Sequence, residues 1–147
     1  MQPNPRKSLL LVMIQMLALA VLVLTGPIFA RALLFLALEM AGIALIVWAL
    51  WSMRGSLPNV TPDVRRGVAL VRHGPYRWIR HPMYTSLLMI GAALVLDELT
   101  ALRAAAFLLL AADLVTKLNY EERLLADRFP EYTDYQQQSH RLIPYLY

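Results

Sequence analysis

The sequence GPYRWIRHPMY, residues Gly74 to Tyr84, combines basic side chains, aromatic rings and prolines directly before an apolar run. Pro82 follows Arg80 and His81, and proline is favoured at the first position of a helix because its missing N–H is not needed there. The free amide groups and positive dipole of a helix N-terminus favour an anion such as a carboxylate. The stretch therefore predicts a polar segment that leads into a helix beginning at Pro82.

The composition indicates a membrane protein. The chain has 147 residues, of which 59% are hydrophobic and only 16% are charged, whereas soluble proteins carry about 25% charged residues. The absence of cysteine excludes disulfides, thiolate metal sites and a cysteine nucleophile. The formal net charge is +4, but the basic residues are distributed as in membrane proteins, so we expect no nucleic-acid partner.

Four apolar runs, at residues 9–25, 32–51, 82–96 and 99–119, are separated by polar connections. A transmembrane helix needs about 20 apolar residues, and the short third run would begin before the hydrocarbon edge or thin the bilayer locally. We expect the first run to be retained as a span, because it is long for the apolar core of a signal peptide. We predict one all-α domain over 1–147, with about four transmembrane helices and a C-terminal cytoplasmic helical segment.

The distribution of basic residues predicts the orientation in the membrane. With four spans, all of the 14 Lys and Arg residues except Arg31 and Arg103 fall on one side. Basic loops stay in the cytoplasm. The sequence therefore predicts a multi-pass protein of the cell (inner) membrane, with both termini and the 52–80 loop in the cytoplasm.

The third and fourth runs form a helical hairpin, because only a few residues at Asp97–Thr100 connect them. The hairpin returns Lys117–Glu122 to the depth of His81–Tyr84. Carboxylates at this edge can accept hydrogen bonds from an ammonium group or ribose hydroxyls, and tyrosines can cover a base or a sugar face. The alternative reading is that the arginines and aromatics only anchor the protein at the interface, while the glutamates form a solvated helix end.

Motifs along the C-terminal half resemble the isoprenylcysteine carboxyl methyltransferase family and the related membrane phospholipid methyltransferases. The resemblance covers residues 64–144 and rests on Leu70-Val71, GPYRWIRHPMY, Glu121-Glu122, Phe129-x-Glu131-Tyr132-x-x-Tyr135 and Arg141-x-Ile143-Pro144. It implies an integral membrane enzyme that uses S-adenosyl-L-methionine, held by the C-terminal hairpin and its flanking loops.

The resemblance also implies roles for individual residues. Lys117 stands where the family has a substrate-contacting arginine. Lysine keeps the positive charge but lacks the planar guanidinium group that binds a carboxylate through two N–H donors. The implied catalytic residues are Lys117, Glu121 and Glu122, with Lys117 also binding substrate. The implied cofactor-binding residues are Val68, Ala69, Leu70, Val71, Tyr76, His81, Pro82, Met83, Tyr84 and Glu121. No metal site is expected.

These patterns predict a membrane methyltransferase acting on a lipidic or hydrophobic acceptor, such as an isoprenylcysteine-type carboxylate. A carboxylate acceptor is already ionised, so positioning would carry most of the rate effect. An amine acceptor would first need deprotonation, by Glu121 or Glu122. Three alternatives stay open: a phospholipid amine N-methyltransferase, a membrane NADPH-dependent sterol- or enone-type reductase with a similar HPxY pattern, and a non-catalytic membrane assembly protein.

Overall fold

A computed structural model describes residues 4–54 and 70–144. In these ranges the chain forms five α-helices, one 3-10 turn and no β-strand, which confirms the all-α prediction for them. The elements are α1 (Pro5–Leu24), α2 (Leu33–Ser52), the 3-10 turn (Gly74–Arg77), α3 (Pro82–Asp97), α4 (Ala101–Arg128) and α5 (Tyr132–Gln138). Residues 55–69 of the predicted cytoplasmic loop lie outside the described ranges, and so do the predicted cofactor residues Val68 and Ala69.

The helix ends follow from capping residues and prolines. Asn4 caps α1 by accepting a hydrogen bond from the backbone N–H three residues on, at 3.1 Å, and Thr100 caps α4 in the same way, at 3.2 Å. Both residue types are favoured at this position because they satisfy an amide that has no partner inside the helix. At the other end of α4, Phe129 is extended, as expected for a residue that precedes a proline.

By length and composition, α1 and α2 can each cross a membrane. Each has 20 residues and a mean hydropathy of 2.4, and 20 residues at about 1.5 Å each span about 30 Å, the thickness of the hydrocarbon core. The apolar helix α3 is shorter, with 16 residues, and α4 carries Arg103, Asp113 and Lys117 before its polar C-terminal part. Four spans therefore remain a prediction.

The helices pack in two closely joined pairs, α2 along α3 and α1 along α4. In the first pair, Gly42 permits close approach, because a Cβ there would lie 2.9 Å from Ile90 and 3.1 Å from the Ser86 carbonyl oxygen. Small and branched apolar side chains fill the centre of the bundle: Ala18, Leu22, Val95, Ala106, Leu110 and Leu114. The antiparallel hairpin of α3 and α4 brings the C-terminal part of α4 beside the start of α3.

Acidic side chains organise the connection between α1 and α2, at the end of the bundle far from Pro82. Glu39 is buried and accepts a hydrogen bond from the Ala30 N–H at 2.9 Å. Asp97 accepts hydrogen bonds from the backbone N–H groups of Arg31 and Ala32, at 2.9 and 2.8 Å. A buried acid is costly in an apolar bundle unless it is paired, and Glu39 is paired with the backbone of this connection.

The chain after α5 returns across the start of α3 as a C-terminal strap, His140 to Leu142. The Arg80 N–H donates to the His140 carbonyl at 2.7 Å, and the His81 N–H donates to the Arg141 carbonyl at 3.1 Å. The Thr85 hydroxyl donates to the Leu142 carbonyl at 2.7 Å. The strap thus fixes the backbone that precedes α3, where the hairpin also places the end of α4.

Candidate functional site

Glu122 is the centre of a buried ion-pair network where α4 passes the start of α3. Its carboxylate lies 2.7 Å from Arg80 Nε and 3.1 Å from Arg141 Nε. It lies 3.5 Å from His81 Nε2 and accepts a hydrogen bond from Gln136 at 3.5 Å. The side chain is only 5% exposed. Glu122 therefore joins the residues before α3, helix α5 and the C-terminal strap.

The electrostatic environment keeps Glu122 ionised. Burial raises its pKa, but the His81 and Arg80 side chains outweigh burial and lower the pKa of Glu122 to about 2. Charged hydrogen bonds to a carboxylate favour its ionised form. Because both oxygens are occupied and the pKa is far below neutrality, Glu122 is poorly suited to accept a proton.

Glu121 is held differently, although it is the adjacent residue. Its Oε2 accepts a hydrogen bond from the Tyr84 hydroxyl at 3.0 Å and lies 3.4 Å from His81 Nδ1. The side chain is 21% exposed. Of the two glutamates, Glu121 is therefore the one that a small molecule can reach.

His81 connects the two carboxylates. Burial lowers the pKa of His81, but the contacts with Glu121 and Glu122 outweigh it, so the net pKa is raised. Its ring stacks on that of Tyr84, with centroids 5.4 Å apart and an angle of 3° between the planes. Within the described residues, the buried His81 Nε2 makes no geometrically acceptable hydrogen bond, although it lies within ion-pair distance of Glu122. The imidazolium form therefore suits this position between two acids.

Tyr76 borders the cluster from the 3-10 turn. Its hydroxyl donates to Met53 Sδ at 2.9 Å, and its carbonyl accepts a hydrogen bond from the Tyr135 hydroxyl at 2.5 Å. Burial raises the pKa of Tyr76, so its hydroxyl stays protonated. Tyr76 is thus anchored on both sides, to the end of α2 and to α5.

Gly74 brings the 3-10 turn against the end of α2. Its φ of +63° lies in the left-handed region, and a Cβ there would overlap the Ser52 hydroxyl. Both the backbone angle and the lack of space favour glycine. Leu70 and Val71 approach this turn without regular secondary structure and are half-buried. Pro82 is buried and Met83 half-buried in the first turn of α3.

Lys117 lies apart from the glutamate cluster's hydrogen bonds. It is 1% exposed, and its ammonium group donates to the side-chain oxygen of Gln15 in α1. Side chains of a helix lean toward its N-terminus, which directs the ammonium toward the preceding turn of α4. One turn earlier, Asp113 is also buried, and its carboxylate oxygens find no hydrogen-bond partner in the described part of the chain. The structure thus places Lys117 in the contact between α1 and α4.

The predicted hairpin geometry is confirmed, because His81 and Tyr84 contact Glu121 directly. The catalytic and cofactor-binding roles of these residues remain predictions. Sequence reasoning missed the contributions of Gln136 and Gln15, and it missed the contact of Arg141 with Glu122. The Arg141-x-Ile143-Pro144 motif was the one available signal for the C-terminal strap.

Comparison with known proteins identifies the family of this site. A family model described as the isoprenylcysteine carboxyl methyltransferase (ICMT) family matches residues 27–127, which is more than half of the chain. The chain belongs to the ICMT family. The matched residues include α2, α3 and most of α4. They also include the 3-10 turn and both glutamates, so this is a membrane protein of a methyltransferase family.

Two curated proteins are similar to this ICMT-family chain. The cobalt-zinc-cadmium resistance protein CzcN of Cupriavidus metallidurans is 34% identical over 86 residues, covering 56% of this chain and 38% of the relative. The nickel-cobalt-cadmium resistance protein NccN of Alcaligenes xylosoxydans xylosoxydans is 33% identical over 86 residues, covering 56% of this chain and 39% of the relative. The chain thus spans less than half the length of either relative. No solved structure matches significantly.

Proposed function

We propose that the chain is an S-adenosylmethionine-dependent methyltransferase of the cell membrane that acts on a lipidic or hydrophobic acceptor. In this proposal four spans place both termini and the glutamate cluster at the cytoplasmic edge. The observation that carries the proposal is the accessible Glu121 carboxylate, which Tyr84 and His81 hold where two helices of an ICMT-family chain meet. A soluble cofactor would reach this edge from the cytoplasm, and an acceptor in the bilayer would enter sideways.

The cluster fits the chemistry of S-adenosylmethionine. The molecule carries an ammonium group, a carboxylate, ribose hydroxyls, an aromatic base and a sulfonium cation. Glu121 would accept hydrogen bonds from the ammonium group or the ribose hydroxyls. The stacked rings of His81 and Tyr84 offer an aromatic surface, and the first turn of α3 at Pro82 and Met83 would face the carboxylate.

The two glutamates have different roles in this proposal. Glu121 contacts the cofactor, whereas Glu122 is a positioning residue that holds Arg80, Arg141 and His81 in place. Loss of Glu122 would leave several cations without their counter-charge, so its effect on activity would accompany a loss of stability. Loss of the Glu121 carboxylate would affect binding with less effect on folding, because its side chain is more exposed.

S-adenosylmethionine, when bound, supplies an electrophilic methyl group on a sulfonium centre. The chain's residues would contribute alignment of the acceptor and exclusion of water, which can account for much of the rate enhancement when two reactants are held together. An isoprenylcysteine-type carboxylate would need no base. For an amine acceptor, Glu121 is the better candidate base, because Glu122 is fully paired and held at low pKa.

The names of the two relatives support a second, physiological proposal. Both are named as metal resistance proteins, and we propose that methyl transfer by this chain serves resistance to divalent heavy metals. Deletion of its gene should then lower the tolerated concentration of cobalt, zinc or cadmium, and the wild-type gene should restore it while the Glu121→Gln variant should not. Unchanged tolerance in the deletion strain would refute this second proposal.

Equilibrium binding to the detergent-purified protein tests the cofactor assignment. The wild type should bind S-adenosylhomocysteine saturably, and Glu121→Gln and His81→Ala should abolish binding while the protein stays folded by circular dichroism. The exposed Glu131 supplies a matched control, since Glu131→Gln removes the same charge beyond the end of α4. If the protein binds NADPH saturably but does not bind S-adenosylhomocysteine, a reductase is favoured. Normal binding of S-adenosylhomocysteine by both site variants would show that the proposed site is wrong.

A further inference from the structure

All three tryptophans of the chain lie on one exposed surface. Trp48 and Trp51 occupy the last turns of α2, and Trp78 follows the 3-10 turn; they are 45%, 60% and 46% exposed. The rings of Trp48 and Trp78 are 5.9 Å apart, and the Arg54 guanidinium covers the Trp51 ring at 3.0 Å. Tryptophan is enriched where a spanning helix meets the headgroup region. This surface therefore lies at the interface of the bilayer that α2 can cross.

A pocket of about 210 Å³ opens beside Trp78, between the 3-10 turn and α5. Its lining combines two guanidinium groups with aromatic and amide side chains, and no carboxylate of the described residues lines it: Arg72, Arg77, Trp78, Tyr135 and Gln138. The Arg72 guanidinium donates to the Glu131 carbonyl at 3.0 Å and lies 5.6 Å from the centroid of the Tyr135 ring. These contacts fix the orientation of one arginine.

The pocket is separate from the glutamate cluster. None of its lining residues is among the predicted cofactor or catalytic residues. One of them, Tyr135, is linked to the predicted cofactor residue Tyr76 by donating its hydroxyl to the Tyr76 carbonyl. A ligand could therefore occupy this pocket whether or not the cluster transfers a methyl group.

We propose that this pocket binds the phosphate of an anionic phospholipid. Guanidinium groups recognise phosphate oxygens through paired N–H donors, and Trp78 would pack against the glycerol and the first part of the acyl chains. The lining carries two positive charges and, among the described residues, no carboxylate to receive the ammonium of a zwitterionic headgroup. This favours phosphatidylglycerol over phosphatidylcholine, because each arginine near the surface attracts anionic lipid.

Fluorescence quenching tests the proposal with Trp78 as the reporter. In the variant Trp48→Phe/Trp51→Phe, Trp78 is the remaining tryptophan, and the protein is reconstituted with phospholipids brominated near the glycerol. Brominated phosphatidylglycerol should occupy the site with about tenfold or greater preference over brominated phosphatidylcholine. Equal quenching by the two lipids at equal mole fraction would overturn the proposal.

Charge variants identify the residues responsible. Arg72→Gln/Arg77→Gln in the same background should remove the preference. The control Arg6→Gln/Arg123→Gln removes two exposed arginines outside the pocket and should retain it. An equal loss in both double variants would show only a general charge effect and would refute the site. Inorganic phosphate should not displace the brominated lipid at millimolar concentration; displacement would assign the pocket to soluble phosphates and contradict the lipid proposal.

Discussion

Replacing Glu122 by glutamine is the perturbation whose size the structure defines best. The substitution preserves the shape of the side chain but removes the charge that Arg80, Arg141 and His81 share. Because Arg80 and His81 are buried, these two cations would remain in a poorly solvated environment with no counter-ion from Glu122. We therefore expect Glu122→Gln to destabilise the fold strongly, whatever reaction the protein catalyses.

The pKa of Glu122 gives the magnitude. Folding lowers it from 4.5 to about 2, and each pKa unit corresponds to about 1.36 kcal/mol, so the ionised carboxylate contributes about 3 kcal/mol. A similar figure comes from mutations in other proteins, where removing one partner of a buried ion pair costs about 3–5 kcal/mol. Since the folded pKa is the lower one, this contribution is present above pH 4.5 and is lost as the pH falls toward 2.

Thermal unfolding followed by circular dichroism, in detergent at neutral pH, measures the effect. A loss of about 3 kcal/mol should lower the Tm by about 10 °C, whereas the exposed control Glu131→Gln should leave it nearly unchanged. The difference between wild type and Glu122→Gln should shrink as the pH falls below 4.5. A Tm for Glu122→Gln within about 1 °C of the control at neutral pH would refute the proposed network.

Three further predictions concern other parts of the bundle. The pKa of the His81 ring, followed by NMR, should lie above 6.5, because the contacts with the two glutamates outweigh the effect of burial. The charged ring then stabilises the fold below pH 6.5, and this contribution disappears as the pH rises through the folded pKa. A pKa below 6.5 would contradict the assigned environment. Gly42→Ala should lower the free energy of unfolding by about 1–3 kcal/mol, because α3 leaves no room for a Cβ. The control Ala41→Val, on the exposed face of the same helix, should have little effect. Equal stability of Gly42→Ala and the wild type in thermal unfolding would disprove the close helix contact. Asp113→Asn should lower the Tm, because the Asp113 carboxylate interacts electrostatically with the buried Lys117 ammonium one turn along α4, and removing one partner of a buried pair leaves the other charge uncompensated. An unchanged or higher Tm would show that Asp113 does not stabilise the Lys117 charge.

The local patterns of the sequence predicted the helices well. Pro82 begins α3 as expected from its place before an apolar run. Periodicity, capping and proline restrict the backbone within a few residues, so these features can be read from short stretches. The short connection after Asp97 also sufficed to predict that Glu121 meets His81 and Tyr84.

Long side chains and distant segments limited the prediction of the site. The backbone position of Lys117 placed it near the cluster, but its ammonium group contacts Gln15 in α1. The pairing of α1 with α4 depends on tertiary packing, which helix periodicity does not encode. Likewise, no local pattern indicates that Arg141 returns to Glu122, because this contact requires α5 and the turn after it to reverse the chain.

Methyl transfer into a total membrane lipid extract tests the central claim most directly. Purified protein is incubated with S-adenosylmethionine labelled in its methyl group, and the label is counted in the organic phase. The proposal predicts incorporation by the wild type and by Glu131→Gln, and none by Glu121→Gln under conditions where all three remain folded. Equal incorporation of the label by Glu121→Gln and the wild type would contradict the proposal. It would also be contradicted if the wild type incorporated no label and did not bind S-adenosylhomocysteine.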